Sequence, residues 1–141
     1  MSLTLKQANA IIEAALARGR ELKIKPLSVA VLDAHGDLVS AQREDGASMF
    51  RLDIAQGKAW GAVAMGASSR TLGEKAASNA AFFISLAATA KGRFLPQTGA
   101  VLIRGAGGEI LGAAGASGGT GDEDEACCIH GIETAGLTAG R

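Results

Sequence analysis

LSVAVLDAHGDLVSAQRE, running from Leu27 to Glu44, decides the fold. Val29, Val31 and Asp33 fall on one face of an extended chain, and Asp33-Ala-His-Gly-Asp37 then carries the residue types of a tight turn. Beyond it the alternation resumes, with Val39, Ala41 and Arg43 on one side and Leu38, Ser40 and Gln42 on the other. Two strands joined by so short a turn run antiparallel. A second unit of the same kind lies far downstream: AVLIR (Ala100–Arg104), the turn GAGG, and EILGAAGAS (Glu109–Ser117).

Around these hairpins the period changes to that of helices. Thr4 and Gln7 form a capping box ahead of Leu5, Ala8, Ile11, Ile12, Ala15 and Leu16. From Ser48 a second helix carries Phe50, Ile54, Gly57, Gly61 and Ala64, with Trp60 as its largest anchor. Thr71 and Glu74 suggest a capping box opening TLGEKAASNAAFFISLAATA, which has a breaking point at Ser78-Asn79. Acids Asp122 to Glu125 open a last helix that extends to about Leu137. The order αββα(α)ββα predicts a single α+β domain over residues 1–141, a mainly antiparallel sheet with helices packed against it.

Composition narrows the function. Of 141 residues, 48% are hydrophobic, enough for a real core, and alanine and glycine are abundant while tyrosine is absent, so elements must pack through small side chains. Such a domain gains apolar burial by forming homo-oligomers. Fourteen basic residues balance fourteen acidic ones, which argues against nucleic acid or an anionic membrane as partner. Adjacent Cys127 and Cys128 cannot staple distant segments, which points to the reducing cytoplasm. Neither a leader peptide nor an apolar run of about 20 residues is visible.

In this order, the helix LTLKQANAIIEAA, the hairpin VAVLDAHGDLVSAQREDGA, the helix QGKAWGAVAM, the Leu95-Pro96…Gly99 connector and GEILGAAGASGGTGDEDEACC resemble the GlcG/HbpS family of haem-binding, haem-degrading proteins. That family is related to the C-terminal domain of PduO-type corrinoid adenosyltransferases. The resemblance spans almost the whole chain. It implies a profilin- or PAS-like antiparallel sheet flanked by helices, assembly into homo-oligomers, and haem or another small molecule as ligand. The family's usual Gly-Gly-x-Pro-Ile connector stands here as Thr98-Gly99-Ala100-Val101-Leu102-Ile103, without one glycine and the proline.

Glu109 to His130 is the candidate site. Gly112, Gly115, Gly118, Gly119 and Gly121 free the backbone for close approach, so that Gly115, Ser117, Gly118 and Gly119 are expected to line a ligand. The acids that follow disfavour a phosphate cradle, because they already occupy the helix N-terminus with negative charge. Arg43 and Lys58 stand among apolar neighbours where an idle cation is expensive. Lys58 shares its helix face with Ile54, Ala55, Ala62 and Met65, so its ammonium either snorkels to solvent or meets a carboxylate. Arg43 suits a carboxylate ligand through its planar fork; the alternative for Arg43 and Lys58 is a structural pair with an aspartate such as Asp33 or Asp45, holding the hairpin against helix two.

Asp124, Cys127 and His130 repeat every third residue, a spacing that brings acid, thiol and imidazole toward one face. No second ligand-bearing segment supports a metal apart from His35, and dipole complementarity and core filling explain most of the pattern. Axial haem ligands would come from His35, His130, Met49, Met65 or the cysteines, with His130 first. Gly115-Ala-Ser117-Gly-Gly119 matches G-x-S-x-G, but the hydrolase elbow belongs to a larger parallel sheet, and Ser117, Thr120 and Asp122 better serve as loop and cap residues.

Three functions remain open. The first is an oligomeric small-molecule-binding domain, haem or a related tetrapyrrole being the ligand the resemblance implies. The second is a catabolic isomerase, tautomerase or lyase for a small carboxylate, anchored by Arg43, with Asp122, Glu123 or a neighbouring acid moving protons. The third is a structural assembly domain.

Overall fold

The computed structural model describes residues 1–140. Its order is α1 (Leu5–Glu21), β1 (Ser28–Asp33), β2 (Leu38–Arg43), α2 (Met49–Met65), α3 (Ser69–Ser78), α4 (Ala80–Thr89), β3 (Ala100–Arg104), β4 (Ile110–Ser117), α5 (Gly121–Thr134) and β5 (Thr138–Gly140). Both expected hairpins form. They join because β1 also pairs with β4, giving one antiparallel sheet in the order β2-β1-β4-β3-β5.

Alternation along the strands sends side chains to two cores. Val29, Val31, Val101, Ile103, Ala114 and Ala116 meet α1 and α5 through Ile11, Ile12, Cys127, Cys128 and Ile132. Leu32, Ala100, Leu102 and Ala113 meet Ala59 and Ala62 of α2 on the opposite face. Leu72, Phe83 and Phe94 form a smaller cluster where α3, α4 and the chain before β3 pack beside Trp60. Helices on both faces bury the central strands almost completely, which is why β1, β3 and β4 read as apolar runs.

Sequence and structure part at three places and agree on the break within the third helical segment. The third helix starts at Ser69 with Ser68 at its N-cap, a turn before the Thr71–Glu74 pair. The expected break falls at Asn79, whose φ −149° and ψ 57° leave the helical region and separate α3 from α4. α5 ends at Thr134 rather than Leu137, because Gly136 turns left-handed at φ +82° and releases the chain to form β5. On α2, Phe50, Ala64 and Met65 face solvent; the buried side is Ala55, Gly57, Lys58, Ala59, Gly61 and Ala62.

Candidate functional site

Two concavities border α2. The first lies between the start of α2, the connector before β3, and the start of α5; Arg51, Lys58, Thr98, Ser117 and Asp124 are among its lining residues, and its volume is about 270 Å³. Lys58 is placed there by the helical phase of α2, whose other inward positions are alanine and glycine. Its ammonium does meet a carboxylate, donating to Asp124 Oδ2 at 3.3 Å and to Ala116 O at 3.1 Å. Lys58 is 5% exposed and Asp124 1% exposed. Gly99, at φ +140°, leaves the space this pair needs, since a Cβ there would stand 2.5 Å from Lys58 Nζ.

Asp124 is fixed from the other side by α5's own start. Thr120 Oγ1 accepts from Glu123 N at 3.2 Å while Glu123 Oε1 accepts from Thr120 N at 2.9 Å, a complete capping box. Gly119 N donates to Asp124 Oδ1 at 3.0 Å. Burial pushes the Asp124 carboxyl above the usual carboxylate range, with Lys58's charge and the Gly119 N–H opposing the rise. At the rim, Arg51 Nη1 donates to Ser117 Oγ at 3.3 Å.

The second concavity, about 660 Å³, opens between the β1–β2 turn and α2, with Leu32, His35, Leu38, Trp60 and Arg93 around it. Its turn is built by Asp33, whose Oδ1 accepts from His35 N at 2.9 Å and Asp37 N at 3.1 Å. Gly36, at φ +81°, leans on Trp60, where a Cβ would lie 3.2 Å from the indole nitrogen. The Arg93 guanidinium stands 4.5 Å from the Trp60 ring centroid, a cation–π pair.

The expected site residues are dispersed by this geometry. Lys58, Ser117 and Gly119 meet at the smaller cavity. Gly115 and Gly118 meet protein instead: added Cβ atoms would lie 2.2 Å from Ala55 O and 2.3 Å from Pro26 O, so these glycines admit α2 and the chain before β1. Arg43 ends β2 exposed, lining a third concavity with Arg20, Glu44 and Asp45, and no ion pair with Asp33 or Asp45 forms among the described residues; the ion pair of α2 runs from Lys58 to Asp124 of α5, while α2 meets the first hairpin through apolar packing. Asp122, exposed, pairs with Arg70, which also binds Glu125 at 3.0 Å, while Glu123 is held in the capping box.

On α5, two three-residue steps fall about 120° short of whole turns. Asp124 and Cys127 are therefore buried whereas His130 is exposed, its Nε2 3.4 Å from Thr134 Oγ1. Among the described residues no three His, Cys, Asp or Glu side chains gather as a metal site. Burial, reinforced by Asp124's charge, pushes the Cys127 thiol up to about 11, and burial raises that of Cys128 as well, so neither is a thiolate at neutral pH. Arg51, Gly99, Arg93 and the Trp60 wall escaped the sequence reading. The one tryptophan, between Gly57 and Gly61 on α2, was the available signal for the larger cavity.

A family model described as haem degrading protein HbpS-like matches residues 3–133. Among solved structures, the chain is similar to a PduOC:heme complex, 25% identical with a TM-score of 0.88 and 100% of each chain covered. It is also similar to a Streptomyces reticuli HbpS double mutant, 26% identical with a TM-score of 0.80, over 94% of this chain and 86% of that one. The Klebsiella pneumoniae protein ORFY, 22% identical, shares the fold at a TM-score of 0.86 over 95% of this chain and 90% of its own. No curated protein sequence matches significantly.

Proposed function

We propose that this chain, which belongs to the HbpS-like family of haem-degrading proteins, binds haem or a related tetrapyrrole and does so as a homo-oligomer. The observation that carries the reading is the full-length likeness to the PduOC:heme complex. The larger cavity fits such a ligand. Leu38 and Trp60 offer apolar surface for a flat macrocycle, Arg93 supplies a cation for a carboxylate substituent, and His35 is the histidine among the lining residues. Bound haem would bring redox-active iron to the site. The chain's own part is to orient the ring, shield one face from water and present an imidazole.

His130 is the second candidate ligand, on the open surface of α5. The buried, protonated cysteines are poor ligands. Titrating haem into wild type, His35→Ala and His130→Ala separates the cases by their Soret bands. Saturable binding to wild type and His130→Ala, with a shifted or lost band in His35→Ala, is expected. The reverse pattern moves the ligand to His130, and an unsaturable wild-type signal ends the haem reading.

Self-association is supported by α4. Its ten residues, AAFFISLAAT, carry no charge, yet only Phe83 is buried, while Phe82 and Ile84 are 50% and 69% exposed. A second copy is the proposed cover. Light scattering should report an oligomer for wild type and a smaller species for Phe82→Glu/Ile84→Glu; a monomeric wild type refutes it. No helix among the described residues is long and apolar enough to cross a membrane.

A further inference from the structure

We propose that the smaller cavity is a separate binding site for a small monocarboxylate with a hydroxyl or carbonyl beside its carboxylate, anchored by Arg51 and read at the adjacent oxygen by Lys58. At about 270 Å³ the space is below that of ordinary drug-sized ligand pockets and suits a molecule of a few carbon atoms.

Charge and hydrogen-bond capacity define the ligand. Two cations, Arg51 and Lys58, face one carboxylate, Asp124, leaving one surplus positive charge. Among the described residues Arg51 has no carboxylate partner; its guanidinium, with five N–H groups, makes one side-chain hydrogen bond, to Ser117 Oγ. The planar fork fits a carboxylate in two-point contact. Lys58 has three hydrogens, two of them directed to Ala116 O and Asp124 Oδ2, so one remains at a buried ammonium that lines the cavity.

Asp124's charge is offset by the Lys58 ammonium it pairs with, and its other oxygen is engaged by Gly119 N. Ile54 supplies an apolar wall for a methyl group. A purely structural Lys58–Asp124 pair accounts for the buried charges but not for a carboxylate-free arginine over a cavity at their side. The larger cavity is lined by different residues, so this site is independent of the haem reading.

Isothermal titration of the full chain with lactate, pyruvate, propionate, methyl lactate and inorganic phosphate tests it. Lactate or pyruvate should bind saturably, and propionate, lacking the adjacent oxygen, and methyl lactate, lacking the charge, at least about tenfold more weakly. Arg51→Gln should lose at least about tenfold in affinity, and Arg51→Lys less, while both keep the wild-type melting temperature and haem titration. No saturable binding by either acid, equal binding of propionate, a match by phosphate, or undiminished affinity in Arg51→Gln overturns the proposal. If the glutamine variant unfolds, the lysine variant decides, since retained charge without the fork must still weaken binding.

Discussion

Asp124 shows how one buried residue sets a pH dependence. Its folded pKa lies above its unfolded value near 4, so between the two the folded state holds more protons than the unfolded chain. This residue's contribution is complete below about pH 4 and declines as pH rises through the folded pKa. Lys58→Met removes the charge that opposes the rise. It is expected to cost about 3–5 kcal/mol at neutral pH by urea unfolding, a deficit that shrinks on acidification, while Lys58→Met/Asp124→Leu recovers most of it. A deficit independent of pH would detach the loss from Asp124. Lys58 was legible because its helical neighbours are apolar. Its partner was not, since Asp124 lies 66 residues away among four consecutive acids and only the phase of α5 selects it.

Elements reveal their type more readily than their ends. Hairpin alternation and the Thr4–Gln7 box state themselves locally, and the structure contains both. The three residues of β5 carry no periodic pattern; they become a strand because β3 offers an open edge. The glycines of β4 were read as room for a ligand, whereas at Gly115 the room is taken by α2. Gly115→Val should therefore force α2 off the sheet and lower stability by about 3 kcal/mol, read as a lower denaturation midpoint. An unchanged midpoint would mean that α2 can slide without loss. From sequence alone, ligand space and helix space look identical at a strand glycine, because both demand a missing side chain.

For the whole molecule, the fold class was accessible because two hairpins and the helices between them exclude βαβ winding. The pairing of β1 with β4, which makes one sheet of two hairpins, belongs to tertiary structure and left no local mark. The same holds for both cavities, each assembled from segments distant in the chain. The adjacent thiols of Cys127 and Cys128, sealed between α1, α5 and the sheet, have a further use. They form a native clock for global opening: a thiol-modifying reagent should react with the folded protein only as fast as the core exposes them, and burst-label both once urea is added. If labelling in buffer tracks free-cysteine rates instead, that layer breathes without unfolding, and the two halves of the molecule have separate lifetimes.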